Sequence, residues 1–461
     1  MATTATLLQD IHAIVGDAGI ITDERVAQRP NENWGKGSCP GIAVVRPATT
    51  EEVSQVMALC HAAGQVVVPH GGTTGLANGI QCKAGDLVLS LERMNNIEHF
   101  DVQGATIRLQ AGVVIEKLQQ TAAEQNLLFA VDWGARGSAQ VGGMLSANAG
   151  GNKVIRYGMA RDQVLGLEVV LPDGRVMTHL GETLKDNSGI DLKHLFIGSE
   201  GTLGIITRAV LRLWPAAPAR QTALVACADF DHVMSTLNHL KQSLEGKLSA
   251  FEVMWQNFYH FMTETTAGHP KLFAEEHPYY VLIESEFVDL ARGGEQFVEV
   301  LEGLLENELI ADAVIATSQQ QAASLWAMRD DIEAMIERLS PLIPYDLALP
   351  LRHMEDYANR VSQGLAEHFP DSHCLTFGHL GDGNIHFCIG PAQDKAAIDE
   401  MVYRLMSEYG GSISAEHGVG LGKKAYLHYS RSEVELDMMR TLKRAFDPKN
   451  ILNPGKIIDV S

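Results

Sequence analysis

Three glycine-rich segments within the first 215 residues constrain this sequence more than any other feature. They occupy residues 69–79, 134–151 and 198–207 of the 461-residue chain. Glycines let a backbone approach a ligand closely, and successive N–H groups in such a loop can bind a pyrophosphate. One loop of this kind is as compatible with a plain turn as with a ligand site. Three of them in one region favour a large dinucleotide that lies along the domain.

Two other nucleotide-binding patterns are disfavoured. No G-x-G-x-x-G motif opens a strand–helix–strand unit, which argues against a nicotinamide dinucleotide. Residues 418–424 are only superficially similar to a P-loop, because the glycine spacing differs and no serine or threonine follows the lysines. The glycine pattern therefore indicates a dinucleotide of another class.

The length of 461 residues predicts two or three domains, and the order of strand and helix patterns beyond residue 215 predicts an α+β domain there. The patterns alternate up to about residue 215, with a hairpin over residues 167–177. A proline-containing stretch at residues 214–218 marks a boundary, and longer helices follow it. Helices are predicted over residues 49–63 with Thr50 as the cap, 230–244, 293–307, 322–339, 351–368 and 432–446.

Composition and charge narrow the classes of partner and compartment. Lys and Arg number 36 against 57 Asp and Glu, which gives a net charge of -21. A field of this sign repels phosphate backbones, so nucleic acid is not an expected partner. The six cysteines show no C-x-x-C spacing and are interpreted as free thiols in a reducing compartment. Without a secretory signal or an uninterrupted apolar run of about 18 residues, the sequence predicts a cytoplasmic protein with no transmembrane segment.

A group of polar residues surrounds a predicted tight turn at residues 381–384. Both flanks have strand character, so a hairpin would bring His379 and His386 together. Two imidazoles that meet across a turn suit a divalent transition metal, and Glu416 is a candidate third ligand that leaves positions open for substrate and water. Two histidines held by ordinary hydrogen bonds are an equally simple explanation. Asp382, between two glycines, fits a turn former better than a ligand.

His417 follows the candidate ligand Glu416 directly. A neutral imidazole can accept a proton near physiological pH, which makes His417 a candidate general base. Adjacent side chains of an extended backbone point in opposite directions, so Glu416 could face a metal while His417 faces another group.

Together these segments resemble the FAD-dependent D-2-hydroxy-acid dehydrogenases of the vanillyl-alcohol-oxidase flavoprotein superfamily. That family includes D-2-hydroxyglutarate dehydrogenase, D-lactate dehydrogenase and the flavin subunit of glycolate oxidase. The resemblance extends from about residue 40 to residue 458. Its most specific pieces are residues 69–75, 191–204, 378–386, 414–420 and 453–456.

The resemblance implies a vanillyl-alcohol-oxidase-type α+β fold in three parts. Residues 1–215 would form an FAD-binding domain, residues 216–410 a cap domain for the substrate, and residues 411–461 a segment that completes the FAD domain and the active site. The implied reaction is the FAD-dependent oxidation of a D-2-hydroxy acid to the 2-oxo acid, by a dehydrogenase acting on a CH–OH group. The alternatives are an oxidase that uses oxygen, an alkyl-glycerone-phosphate synthase of the same superfamily, and a flavin- and metal-binding protein without turnover.

The resemblance also implies roles for individual residues. A divalent metal, expected to be zinc with manganese or iron(II) as substitutes, would be held by His379, His386 and Glu416. His417 would be the catalytic base in contact with the substrate, while Arg329 would bind the substrate carboxylate and Asn384 would lie near it. The residues expected to contact FAD are Pro69, His70, Gly71, Gly72, Thr73, Thr74, Gly75, Ala77, Asn78, Asp132, Ser138, Gly142, Gly143, Ala147, Asn148, Gly151, Glu200, Gly201, Ile205 and Asn453.

Three positions refine these expectations. Hydroxyglutarate enzymes carry a lysine and a threonine where this sequence has Pro344 and Glu333. Losing a cation and gaining an anion should weaken the binding of a second carboxylate, so hydroxyglutarate is disfavoured as the substrate. His70 precedes the double glycine, whereas family members with histidyl-linked flavin place a histidine after it, so FAD is expected to be noncovalent. The expected partners are a small 2-hydroxy acid and an electron acceptor (an electron-transfer flavoprotein, a quinone or a cytochrome), and a homodimer is a candidate assembly.

Overall fold

The computed structural model describes residues 3–265 and 268–460, which form two structural units. The first unit contains the described residues up to Gly151, then Gly158–Ala216 and the described residues from Glu416 onward. The second contains Asn152–Tyr157 and the described part of Ala217–Ala415. Each unit has its own sheets and its own hydrophobic core.

A four-stranded sheet supports the first glycine-rich loop in the first unit. Its strand order is Ile20–Ile21, Ala43–Val45, Leu87–Ser90 and Val67–His70. The last three strands are parallel, and their valine and leucine runs are buried on both faces, as such sheets require. The C-terminal segment joins the edge of this sheet, because Val67 N donates to Ile451 O and Asn453 N donates to Val67 O, both at 2.8 Å.

A five-stranded antiparallel sheet forms the rest of the core of the first unit. Its strand order is Ile97–Asp101, Thr106–Gln110, Ile205–Arg212, Val164–Val170 and Val176–His179. The last two strands form the hairpin predicted over residues 167–177, which confirms that prediction. A two-stranded pair joins Leu127–Leu128 to Trp214–Pro215. Within the described residues, the α-helices of this unit are Thr4–Val15, Thr50–Ala63, Ile115–Ala123, Val141–Ala147, Lys193–Phe196 and Glu433–Phe446.

The second unit is built on one seven-stranded antiparallel sheet. Its strand order is Asp312–Ile315, Ala219–Cys227, Tyr279–Phe287, Leu248–Trp255, His373–His379, Asn384–Gly390 and Ile343–Ala348. The α-helices of its described residues are Val154–Tyr157, Phe230–Ser243, Gln256–His260, Leu290–Glu306, Gln319–Asp330, Ile332–Leu339, Met354–His368 and Lys395–Ser407. Helices that cover an antiparallel sheet place this unit in the α+β class that the sequence predicts.

The cap of the helix Thr50–Ala63 differs from the sequence prediction. Thr49, not Thr50, is the N-cap, and its side chain accepts a hydrogen bond from Glu52 N at 3.2 Å. Thr50 lies inside the helix, where its hydroxyl donates to Glu168 Oε1 at 2.6 Å. A threonine is favourable as an N-cap at either position. The Thr50 hydroxyl instead donates to a buried carboxylate, and Thr49 is therefore the cap.

The single helix predicted over residues 322–339 is also wrong, because the structure has two helices there. Gln319–Asp330 ends at Asp331, whose backbone leaves the helical conformation at ψ 71°. The Asp331 side chain then caps the next helix, Ile332–Leu339, by accepting from Ala334 N at 3.1 Å. A polar residue that can cap a helix therefore interrupts an otherwise continuous helical pattern.

Candidate active site

The first and second glycine-rich segments meet backbone to backbone in the first unit. A Cβ at Gly72 would lie 2.0 Å from Ser138 O, and a Cβ at Gly71 would lie 3.4 Å from Gly143 Cα. No larger side chain fits at Gly72 without moving the other segment. The third segment joins them, because a Cβ at Gly201 would lie 2.7 Å from the ring of Pro69. The three segments that the sequence singled out are therefore neighbours.

Two buried acceptors beside these segments have no hydrogen-bond donor among residues 3–265 and 268–460. They are Gln140 Oε1, in the second segment, and Asn453 Oδ1, in the C-terminal segment. The Asn453 side chain is fixed, because its Nδ2 donates to Glu200 O at 2.8 Å. Buried acceptors are normally satisfied, so each is expected to accept from a ligand or from an ordered water. FAD fits this requirement, since its ribityl hydroxyls and flavin N3–H are donors.

Several residues predicted to contact FAD are engaged with the protein itself. His70 is buried, and its Nε2 lies 2.9 Å from Ile80 O. Burial lowers the pKa of His70 to about 4, so the ring is neutral and donates to that carbonyl. The carboxylate of Asp132 accepts from Arg136 Nη1 at 2.8 Å, Asn148 Oδ1 accepts from Arg161 N at 2.9 Å, and Asn78 pairs with Asn33.

The remaining predicted FAD contacts lie on the same segments. Thr73 and Thr74 are half-buried in the first loop, and Gly75 is exposed. Gly142 and Ala147 belong to the helix Val141–Ala147, whose N-terminus faces the first loop through Gly143. Gly151 and Ile205 are buried, the first ending the second segment and the second beginning the strand after the third.

Glu200 clamps the loop that carries His417. Its Oε1 accepts from Val419 N at 2.7 Å and its Oε2 accepts from Gly420 N at 2.8 Å. Burial raises the pKa of Glu200. Ala77 O adds two more bonds to the same loop, from Leu421 N at 2.9 Å and Gly422 N at 3.1 Å. Sequence reasoning assigned Glu200 and Ala77 to the cofactor and missed that both hold this loop.

Glu416 and His417 begin the C-terminal part of the first unit. Glu416 Oε1 lies 3.4 Å from Gly151 N, at the end of the second glycine-rich segment. His417 is half-buried. The loop clamp therefore places both candidate residues beside segments that the sequence links to FAD.

The predicted histidine hairpin is formed in the second unit. His379 ends one strand and His386 lies on the next, with ring centroids 5.3 Å apart and ring planes at 82°. His379 Nδ1 lies 2.7 Å from Glu252 Oε1, and His379 Nε2 lies 3.3 Å from Arg329 Nη2. Both neighbours select one tautomer, in which Nδ1 carries the proton and Nε2 offers its lone pair. That tautomer is the one a metal-binding histidine needs.

Arg329 and Glu252 form a buried ion pair at this hairpin. Arg329 Nη2 lies 2.9 Å from Glu252 Oε2, and the two side chains are 6% and 1% exposed. Burial alone would raise the pKa of Glu252, but His379 and Arg329 outweigh it and hold the pKa below its usual value. Arg329 also contacts Asp330 Oδ1 at 3.2 Å and lies over the ring of Phe377. Sequence reasoning missed Glu252, for which the only signal is a carboxylate within the apolar strand Leu248–Trp255.

Asn384 is buried beside the hairpin turn with its amide orientation fixed. Its Nδ2 donates to Asp346 Oδ1 at 3.0 Å and to Leu347 O at 2.8 Å. Its Oδ1 is buried and finds no donor among the described residues. Asp346 is fully buried and also accepts from Ser414 Oγ at 3.2 Å. The arrangement offers an acceptor to a ligand that brings a hydroxyl or N–H group.

Two other groups of residues bear on the predicted chemistry. Pro344 and Glu333, which replace the lysine and threonine, are both exposed in the second unit.

His260, Glu264 and Glu276 form a separate cluster with the spacing of a metal site. Lys271 Nζ lies 3.6 Å from both carboxylates, so a lysine already balances part of the negative charge of that cluster.

Two known protein families match this chain. The model described as "FAD binding domain" matches residues 41–179, and "FAD linked oxidases, C-terminal domain" matches residues 216–457. Two solved structures share the fold. Alkyldihydroxyacetonephosphate synthase has a TM-score of 0.75 at 20% identity and covers 99% of this chain and 86% of its own. Substrate-bound p-cresol methylhydroxylase has a TM-score of 0.75 at 15% identity, with coverage of 100% and 98%. The predicted vanillyl-alcohol-oxidase-type α+β fold is confirmed.

Curated relatives are similar over nearly the whole chain. A D-2-hydroxyglutarate dehydrogenase of Stutzerimonas stutzeri is 36% identical and covers 99% of both chains. A mitochondrial D-2-hydroxyglutarate dehydrogenase of Rattus norvegicus is 37% identical over 95% of this chain and 82% of its own. A putative mitochondrial D-lactate dehydrogenase of Schizosaccharomyces pombe is 37% identical over 90% and 81%. In residues 3–265 and 268–460, no helix is long and apolar enough to cross a membrane. The chain thus belongs to the FAD-dependent D-2-hydroxy-acid dehydrogenases, oxidoreductases that act on a CH–OH group.

Proposed function

We propose that this enzyme binds a D-2-hydroxy monocarboxylate through Arg329 and that His417 removes the 2-hydroxyl proton. The observation that carries the proposal is the buried array of Arg329, Glu252 and His379. A guanidinium that is 6% exposed and oriented by a carboxylate is prepared to hold a second carboxylate in one orientation. An anionic substrate needs such local positive charge in a protein with a net charge of -21.

FAD is assigned to the three glycine-rich segments and the C-terminal segment. Gln140 Oε1 and Asn453 Oδ1 are the buried acceptors that its donors would satisfy. When bound, FAD would supply the acceptor for the hydride from C2 of the substrate. Attachment of FAD is proposed to be noncovalent, because the ring of His70 is buried and its Nε2 is hydrogen-bonded to Ile80 O.

A divalent metal is assigned to His379, His386 and Glu416, with zinc preferred over manganese and iron(II). The support is the tautomer of His379, whose Nε2 lone pair is directed away from Glu252. When bound, the metal would act as a Lewis acid that stabilises the alkoxide form of the substrate. The Arg329 hydrogen bond to Nε2 uses the same lone pair, so that bond and a metal at Nε2 are alternatives.

The remaining residues orient the substrate and receive its proton. Asn384 Oδ1 is an acceptor for a substrate hydroxyl, held in place by Asp346. His417 accepts the 2-hydroxyl proton, and the clamp of Glu200 on Val419 and Gly420 limits the movement of its loop. Exposed Pro344 and Glu333 offer no cation to a second carboxylate, which favours a monocarboxylate over hydroxyglutarate.

The natural electron acceptor is proposed to be an electron-transfer flavoprotein, a quinone or a cytochrome rather than oxygen. An oxidase with the same site would release hydrogen peroxide during turnover, so peroxide formation separates the two enzymes. The lack of C-x-x-C spacing among the six cysteines supports a reducing compartment, proposed to be the cytoplasm, although some relatives are named as mitochondrial. A homodimer is the proposed assembly.

Anaerobic bleaching of the flavin by a panel of 2-hydroxy acids tests the proposal. We expect D-enantiomers of monocarboxylates to bleach the yellow protein, with slower bleaching by D-2-hydroxyglutarate and none by L-enantiomers. Bleaching by hydroxyglutarate alone would overturn the assignment of substrate class. The metal assignment is tested separately by chelation and elemental analysis, and full activity in metal-free protein would contradict it.

A further inference from the structure

One pair of cysteines differs from the other cysteines of the protein. Cys39 Sγ and Cys82 Sγ lie 3.1 Å apart, and both residues are 3% exposed. Cys82 lies in the loop between the strands Val67–His70 and Leu87–Ser90, and Cys39 precedes the strand Ala43–Val45. The two sulfurs need to approach by only about 1 Å to reach bonding distance.

A single short segment holds both cysteine backbones in place. Cys39 N donates to Arg29 O at 3.0 Å, and Cys82 N donates to Asn31 Oδ1 at 2.8 Å. Asn31 Nδ2 in turn donates to Cys82 O at 3.2 Å. Because these anchors involve the backbone and Asn31, they would persist if the two sulfurs became bonded.

The electrostatic surroundings separate Cys39 from the other five thiols. The hydrogen bond between them lowers the pKa of Cys39 and raises the pKa of Cys82. Burial raises the pKa of each remaining cysteine to about 12, and these are Cys60, Cys227, Cys374 and Cys388. The thiolate is the reactive form, so Cys39 is the expected nucleophile and Cys82 lies next to it.

We propose that Cys39 and Cys82 are a redox modification site, at which hydrogen peroxide oxidises the two thiols to a disulfide at the base of the first glycine-rich loop. The Cys39 thiolate attacks one peroxide oxygen, the O–O bond breaks, and Cys39 becomes a sulfenic acid as water leaves. The Cys82 sulfur then attacks the Cys39 sulfur, the S–O bond breaks, and a second water leaves. Two thiols lose two electrons and two protons, and hydrogen peroxide is reduced to two waters.

The disulfide would restrain the loop assigned to FAD. It would join positions separated by 43 residues, and such a bond restricts the unfolded chain. The oxidised protein should therefore keep its flavin to a higher temperature than the reduced protein, by roughly 5 °C.

Peptide mapping of the flavin-loaded protein tests the site. The protein is treated with equimolar hydrogen peroxide, quenched with catalase, denatured and alkylated, and its peptides are analysed by mass spectrometry. We expect a Cys39–Cys82 cross-linked peptide, with the other four cysteines alkylated and oxidised at least about tenfold more slowly. Equal alkylation of all six cysteines, or preferred oxidation of Cys374, would overturn the proposal.

Two variants test the order of the steps. In Cys82→Ser, Cys39 should stop at the sulfenic acid and be labelled by a cyclic 1,3-diketone, whereas Cys39→Ser should give no label at Cys82. Labelling of Cys82 in Cys39→Ser would reverse the assignment of the nucleophile. If a variant fails to bind flavin, the cross-link in the unaltered protein still decides whether the site exists.

Discussion

The two units build their candidate binding features from different parts of the chain. In the first unit these features are formed mainly by the backbone. They are glycines that leave no room for a Cβ, and the N–H groups of residues 419–422, which donate to Glu200 and Ala77. In the second unit they are side chains from separate elements: Arg329 from a helix, and Glu252 and His379 from two neighbouring strands. The first type of feature suits the binding of a large cofactor by shape, and the second fixes charge at a few atoms.

The difference predicts which property each variant changes. Loss of a side chain in the second unit should impair substrate binding, metal binding or turnover and leave the flavin in place. The backbone features of the first unit should resist single side-chain changes, except where a side chain carries chemistry or holds the backbone. His417, Glu416 and Glu200 are such exceptions, as are the side-chain acceptors of Gln140 and Asn453.

The largest effect is expected from His417→Ala, which removes the proposed base. Turnover should fall by about 10²–10⁴-fold, the usual scale for one acid–base group. Flavin and metal contents should remain unchanged, because neither is assigned to this imidazole. The measurements are kcat, flavin absorbance and elemental analysis of the purified variant.

Glu416→Ala is the matched control for His417→Ala. It changes the adjacent residue, which is assigned to the metal and not to proton transfer. It should lose the metal and keep the flavin. If His417→Ala instead loses metal and recovers activity in excess metal, His417 supports the metal and is not the base. Changes to a residue that orients a metal ligand usually reduce metal affinity or activity by about 10–100-fold.

Replacing Arg329 should have the next largest effect and tests whether geometry or charge matters in the second unit. Arg329→Ala removes the charge-assisted pair with the substrate carboxylate. The expected fall in kcat/KM corresponds to about 2–5 kcal/mol. Arg329→Lys keeps the charge but lacks the planar fork, so it should also lose most of its activity. Arg360→Lys is the control, because Arg360 is 39% exposed and pairs with Glu408 at the surface. Unchanged kinetics in Arg329→Ala would show that this arginine is structural.

Glu252→Gln should weaken the array more moderately. A glutamine cannot balance both Arg329 and His379, so metal affinity or turnover should fall by about 10–100-fold, with the flavin retained. Glu284→Gln is a matched control on the neighbouring strand, where Glu284 is buried and accepts from Trp326 Nε1 at 3.0 Å. If Glu252→Gln and Glu284→Gln lose activity equally, the loss comes from replacing any buried carboxylate of this sheet. The contact between Glu252 and His379 would then have no specific role in activity.

The same contrast explains which features could be predicted from the sequence. Glycine-rich loops and the turn between His379 and His386 depend on neighbouring residues, so their patterns are visible and the hairpin was predicted. Glu252 is 77 residues from Arg329 and 127 from His379, and no local pattern connects them. The helix break at Asp331 was missed for a related reason, because a capping side chain and an exposed polar residue look alike in sequence.

Glu200→Gln should have the smallest effect on stability and a larger one on turnover. Burial raises the pKa of Glu200, so its ionisation lowers the stability of the folded state as the pH rises through that pKa. A neutral glutamine removes that penalty, which offsets the loss of one of the two hydrogen bonds to Val419 N and Gly420 N.

The glutamine nevertheless changes the loop. Its oxygen can accept from Val419 N or Gly420 N, and its amide group faces the other N–H as a second donor. One N–H without an acceptor costs about 1–3 kcal/mol, similar in size to the charge penalty that is removed. We therefore expect a melting temperature within about 3 °C of the unaltered protein, retained flavin, and kcat lower by roughly tenfold because the His417 loop is looser. Glu98→Gln, at a surface pair with Arg208, is the control. Loss of flavin from Glu200→Gln at unchanged kcat per flavin would show that Glu200 serves the cofactor and not the loop.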